Sequence, residues 1–203
     1  MKATILYQSN TGHTARYASI LARKAGLRAM PLAEGMKTLP AETPVLFMGW
    51  ICARSIKGLK KARKKFPIVA VVGVGITAPD NLGQMVDGLA EGNGIGKDTP
   101  FFYLMGGVDL ERLHGFYRFI MKKISQGASQ VTPDSPEEKA SIDAMKNGGS
   151  FVREKNLDPI LAWLSGESSA GPAVIPEVAD GEETGEAAAS DEEIPPEDRP
   201  AQE

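Results

Sequence analysis

Two runs in the middle of the chain, PVLFMGW (residues 44–50) and PIVAVVGV (67–74), are almost unbroken in Val, Ile, Leu, Met and Phe. A strand that alternates apolar and polar side chains buries one face. One that is apolar throughout must be covered on both, which is the condition of a parallel sheet with helices on either side. Shorter runs, KATILY (2–7), LRAMPL (27–32) and PFFYLM (100–105), complete a set of five. Helical patterns separate or follow them: HTARYASILARKA (13–25), SIKGLKKARKK (55–65), NLGQMVDGLA (81–90) and LERLHGFYRFIMKKI (110–124). Five buried strands with intervening helices predict an α/β fold built on a doubly wound, five-stranded parallel sheet.

Two further helices are predicted after the fifth strand. SPEE (Ser135 to Glu138) has capping-box spacing with Pro136 at the first helical position, and Asn147-Gly148-Gly149 supplies a stop. In LDPILAWLSG (157–166), Asp158 can cap, Pro159 can start the helix and Gly166 can end it. Beyond Gly166 the composition changes. Residues 167–203 hold twelve acidic residues and one basic one, a net of −11, which leaves +8 on residues 1–166 of the whole-chain −3. This stretch is rich in Glu, Ala, Pro and Ser and lacks aliphatic periodicity, so burial cannot offset its ordering entropy. A domain at 1–166 and a disordered acidic tail at 167–203 are expected.

Several classes are set aside by composition. The lone cysteine, Cys52, excludes an internal disulfide, and with only His13 and His114 beside it there is no ligand set for a structural zinc site. ATILY is shorter than the apolar region of a secretory signal, and PVLFMGWICA (44–53) is about half of what a helix needs to span a bilayer. A cytoplasmic protein without a transmembrane segment is expected. Redox chemistry would require an organic cofactor.

The first strand is followed at once by SNTGHT: Ser9, Asn10, Thr11, Gly12, His13 and Thr14. In a doubly wound sheet, ligands bind at the carboxyl ends of the strands, and the loop after the first strand commonly takes a phosphate. Backbone N–H groups here and at the start of the next helix can converge on an anion. Gly12 permits close approach, and Ser9, Thr11 and Thr14 add hydroxyls. The plainer alternative, Ser9 or Thr11 as a helix cap, accounts for one hydroxyl but not for three around a glycine.

These six residues match, position for position, the Thr/Ser-x-Thr-Gly-x-Thr phosphate loop of the flavodoxins, and the chain resembles that family from its first strand to about Gly166. The resemblance implies a flavodoxin-like sheet of order 2-1-3-4-5, with FMN held by its phosphate in residues 9–14. It further implies that the flavin ring lies between the loops after the third and fourth strands. Those loops are Gly49, Trp50, Ile51 and Cys52, and Gly75, Ile76, Thr77 and Ala78, followed by Pro79. Trp50 would stack on the ring or serve as an interface or core tryptophan. Gly49 and Gly75 would bring backbone groups close to it. The tyrosine frequent in the family's second flavin loop is absent here.

Rival motifs are weaker. GVGITA (73–78) fits a dinucleotide fingerprint, but Asp98 precedes the following strand, where that fingerprint requires an acidic residue at its end. A receiver domain would need acidic residues where the chain has Tyr7-Gln8 and Gly49-Trp50. Cys52 reads as a small buried hydrophobe. His13 and His114 have no visible nucleophile or acid partner, so no triad is expected.

Three functions follow as expectations. The first is an FMN protein acting in electron transfer with a redox partner protein. The basic cluster Arg54, Lys57, Lys60, Lys61, Arg63, Lys64 and Lys65 would favour an anionic partner, whereas flavodoxins are typically acidic around the flavin. The second rests on GGVDLERLHGFYRFIMKKI (106–124), which resembles the corresponding region of the quinone-coupled, flavodoxin-like protoporphyrinogen oxidases. It implies an oxidoreductase acting on a small hydrophobic or anionic substrate, a quinone or a porphyrinogen, with peripheral membrane contact. The third is a non-redox interaction protein on the same fold, its acidic tail screening the basic helix. No nucleic-acid-binding motif is present.

Overall fold

Parallel pairing runs unbroken across five strands, and every other element is arranged to cover them. The structure, a computed structural model, describes residues 3–77, 82–113, 115–128, 132–133 and 135–167. The chain runs β1 (Thr4–Gln8), α1 (His13–Ala25), β2 (Ala29–Pro31), α2 (Leu32–Thr38), β3 (Val45–Cys52), α3 (Leu59–Arg63) and β4 (Ile68–Gly75). It continues through α4 (Leu82–Gly92), β5 (Phe101–Met105), α5 (Gly115–Ala128), α6 (Pro136–Asn147) and α7 (Asp158–Ser165). The sheet order is β2-β1-β3-β4-β5, all parallel, as the resemblance to the flavodoxins implies. Two short pieces lie outside this sequence. Ser55–Ile56 folds back antiparallel on the end of β3, and Gly107–Val108 pairs with Gly149–Ser150.

Successive side chains of a strand point to opposite faces, and the two cores divide accordingly. Val45 and Phe47 of β3, Leu6, Val71 and Tyr103 pack with Leu59 and Ala62 of α3 and Val86 and Leu89 of α4. Leu46 and Met48, Ile5, Val72 and Leu104 pack with Tyr17 and Leu21 of α1 and Ile160 of α7. Both faces of the central strands are therefore apolar because both are covered.

Three local features depart from the sequence expectations. LAEGMKT forms α2, whose short apolar spacing is interrupted by Gly35 and closed by Pro40, leaving little helical signal. Residues 109–112 are a turn and not the start of α5, because Asp109 Oδ1 accepts from the backbone N–H of Glu111 (3.0 Å) and Arg112 (3.2 Å). Asp158 is the first residue of α7 rather than its cap, since a 3-10 turn at Glu154–Leu157 leads directly into it. The Ser135 cap is formed, with its hydroxyl accepting from Glu138 N–H at 3.1 Å, and Gly166 ends α7 in the left-handed region. His114, Ala78, Pro79 and residues 168–203, the bulk of the expected tail, lie outside the described residues. Among the described residues no helix is long and apolar enough to cross a membrane.

A buried polar knot joins the layers. Tyr17 of α1 is fully buried; its hydroxyl donates to Met105 O at 2.7 Å, approaches Phe151 O at 3.1 Å and accepts from Asn156 Nδ2 at 2.7 Å. Asn156 Nδ2 also reaches Phe151 O at 3.0 Å. Burial holds the phenol pKa above its ordinary value despite these hydrogen bonds. Replacing Tyr17 with Phe keeps the ring but orphans these partners, so urea unfolding should show a loss of about 1–3 kcal/mol. A loss of only a few tenths would mean that the knot does not hold α1 to the end of β5.

Candidate functional site

The connection from β1 crosses to β2 on one side, whereas β3 lies on the other, so the strand order reverses between β1 and β3. Ligands of doubly wound sheets bind in the crevice at such a point. Three loops meet here, each positioned by a different device.

The loop after β1 turns into α1 through Gly12, whose φ of 94° lies in the region that favours glycine. Gly12 makes no side-chain cap. Ser9 Oγ instead accepts from Ala15 N–H at 3.3 Å, and the first intrahelical bond is Arg16 N–H to Gly12 O at 2.9 Å. Thr11 Oγ1 lies 3.0 Å from His13 Nδ1. Thr14 is 2% exposed and lines a cavity. Burial holds the His13 pKa below its ordinary value; nearby Asp109 opposes this, and Arg16 and Arg112 add to it. The imidazole is therefore neutral at pH 7.

The chain stays in β3 through Gly49, Trp50, Ile51 and Cys52, expected in a loop after the strand, and Trp50 meets Tyr117 of α5 edge to face with centroids 4.9 Å apart and planes at 79°. The chain then reverses through Ala53 (φ 49°) and Arg54 (φ 61°), two left-handed residues without a glycine between them. Each such residue costs on the order of 1 kcal/mol, so something must hold the turn. Asn93, at the end of α4, does so: its Oδ1 accepts from Ile56 N–H at 2.8 Å, and its Nδ2 donates to Arg54 O at 2.9 Å and Leu89 O at 2.8 Å.

The loop after β4 is held from beneath by Tyr103 of β5. Its hydroxyl accepts from Thr77 N–H at 2.9 Å and donates to Thr77 O at 3.1 Å. Gly75 leaves room for that hydroxyl, since a side chain there would sit 2.5 Å from it. Burial pushes the Tyr103 phenol pKa far up, so the hydroxyl stays protonated.

Together these loops enclose a largely apolar cavity of about 260 Å³. Ser9, Asn10, Thr11, His13, Thr14, Trp50, Ile51, Cys52, Gly75, Ile76 and Thr77 line it. Gly12 shapes the loop without lining the cavity, and Ala78 lies outside the described residues. Gly49 lies behind the wall, where a side chain would meet Lys57 O at 2.6 Å and Ile56 Cγ2 at 2.7 Å. Arg54 of the basic cluster also lines it, and Ala53, Val74, Leu89, Tyr103, Gly107, Val108, Leu113, Tyr117 and Met145 complete the lining without having been expected there. A wider hollow of about 660 Å³ at the far end of α1, between Lys24, Leu27, Asp158 and Leu161, contains none of the expected residues.

No carboxylate or lysine lines the cavity, and among the described residues no group of three His, Cys, Asp or Glu could hold a metal ion. The lining supplies hydroxyls, backbone groups, aromatic planes and the positive end of α1. Such groups can meet an anion and a planar ring, and the His13 imidazole adds one titratable group to the wall. No protein-family model matches the chain, and no curated protein matches it.

The neutral His13 makes acid sensitivity testable. Because its pKa is lower folded than the 6.5 it takes unfolded, the native state binds fewer protons; this stabilisation is fully present above about pH 6.5 and is lost as pH falls through the folded pKa. The wild type should therefore lose melting temperature between pH 7.5 and 5 more steeply than His13→Gln. Superimposable profiles would show that His13 is not buried as described.

Proposed function

We propose that the protein binds FMN at the β1/β3 crevice and acts in electron transfer. The observation that carries this reading is the convergence of the three loops on one cavity, lined on the β1 side by Ser9, Asn10, Thr11, His13 and the buried Thr14. The donor set suits a flavin nucleotide. Residues 9–14 offer hydroxyls and helix-start N–H groups for a phosphate. The apolar walls and the Trp50 and Tyr117 rings suit a planar heterocycle. At about 260 Å³ the cavity is slightly smaller than ordinary ligand pockets, so a nucleotide would fill it and reach out of its mouth.

When bound, FMN supplies the redox chemistry, taking up and giving back electrons. The chain's own residues bind and orient it. Ser9 and the Thr11–His13 pair fix the loop, Tyr103 fixes the backbone at Thr77, and Asn93 fixes the turn at Ala53-Arg54. Trp50 and Tyr117 shield one side from water. Lys60, Lys61 and Lys64 are exposed on and just after α3 and would draw an anionic partner.

A second reading, an oxidoreductase of the quinone-coupled protoporphyrinogen oxidase type, is favoured by α5. This helix brings Tyr117 to the cavity and exposes Phe119 (58%) together with Arg118, Lys122 and Lys123. Substrate oxidation by the FMN-loaded protein with a quinone as acceptor would decide for it over the carrier.

The test is a titration with FMN, followed by the visible spectrum and by flavin fluorescence. Thr14→Val and Thr11→Ala should each weaken binding by about fivefold to tenfold, the contribution of one hydrogen bond. Absence of binding by the wild type would remove the redox reading and leave a non-redox interaction protein on this fold.

A further inference from the structure

The turn that replaces the expected start of α5 puts a guanidinium against the SNTGHT loop. Arg112 Nη1 lies 3.3 Å from the point that a Cβ on Gly12 would occupy. Asp109 holds it there twice over. Its Oδ1 accepts from the backbone N–H of Glu111 and Arg112, which fixes the turn, and its Oδ2 pairs with Arg112 Nε at 3.3 Å. The carboxylate thus engages the Nε side of the planar guanidinium while Nη1 lies over Gly12.

As a surface ion pair this arrangement stabilises the fold little, since the two side chains are 60% and 36% exposed. Its position is what calls for an account. A positive charge stands beside the N-terminus of α1, where the helix dipole is already positive, against the loop that carries the cavity-lining Ser9, Thr11 and Thr14. Asp109 answers the guanidinium from its Nε side alone; a phosphate at the loop would be met by the Nη side of the guanidinium on one side and backbone N–H groups and hydroxyls on the other.

We propose that Arg112, positioned by Asp109, is an anion clamp that makes this site select a phosphomonoester ligand over its dephosphorylated counterpart. The clamp deepens the FMN reading and rests on it for the identity of the ring. It does not rest on it for the anion, because the groups that would meet a phosphate are independent of what fills the cavity. Arg is suited to the task because its fork can hold two phosphate oxygens at once, whereas lysine offers a point charge.

The experiment compares wild type, Arg112→Gln and Arg112→Lys for affinity towards FMN and riboflavin, and for the rise in melting temperature on adding inorganic phosphate without flavin. Arg112→Gln should lose about tenfold to a hundredfold in FMN affinity, keep its riboflavin affinity and lose its response to phosphate, with partial recovery in Arg112→Lys. Equal losses for both flavins, or none for FMN, would overturn the clamp while leaving the FMN reading in place. A phosphate response that depends on Arg112, with neither flavin bound, would support the clamp and remove the FMN reading. No response of the wild type to phosphate or to either flavin would overturn both.

Discussion

Same-direction strand pairing is the constraint on which the rest of the molecule depends. When β1, β3, β4 and β5 all run one way, no connection between neighbours can be a tight turn. Each must cross a face of the sheet, and each loop leaving a strand's carboxyl end emerges at the same edge. The crossings provide the helices that cover both faces, which is why Val45 and Phe47 enter one core and Leu46 and Met48 the other. The loops at the common edge provide the cavity. Burying the sheet and gathering residues 9–14, 50–54 and 75–77 are therefore two results of one pairing pattern.

Loops of this kind would wander unless something held them; the loop after β1 is held by its own Ser9–Ala15 and Thr11–His13 contacts, and the others are pinned by a polar group from elsewhere. Tyr103 holds Thr77, Asn93 holds Arg54 and Ile56, and Tyr17 with Asn156 holds the chain where it leaves β5 and where it returns at Phe151. All four pins are buried, where a hydrogen bond left unmade is costly. That cost is what gives the loops a single arrangement, including the two left-handed residues at 53 and 54. Much of the cavity lining thus lies on loops made stiff from behind.

What could be read beforehand follows from this division. The strands and their order were legible because apolar runs are local signals, and the compact SNTGHT stretch marked one wall of the cavity. The pins were not. Tyr103 sits in the run FFYLM and reads as one more buried aromatic, and Asn93 sits at a helix end beside Gly94, where it reads as a stop signal. Nothing local tells which backbone either one meets across the sheet. Leu110 to Leu113 went the other way: their apolar spacing extends the α5 pattern backwards, but Asp109 satisfies two backbone N–H groups and ends the strand in a turn. A side chain competing with the helix for backbone donors defeats periodicity over so few residues.

The same logic separates the basic cluster after β3 into unlike parts. Arg63 donates to Asn93 O at 2.5 Å and Lys65 to Met36 O at 2.7 Å, so these two close loops of their own fold. Arg54 lies against Gly88 of α4 at the cavity rim. Lys60, Lys61 and Lys64 remain exposed, and α3, where the run begins, follows within a few residues of the turn that lines the cavity. Arg54 and the start of α1 bring positive ends to the crevice and no carboxylate is in its lining, whereas Arg112, outside the lining, is paired with Asp109. An anionic occupant would thus meet the helix start and Arg54 rather than a carboxylate.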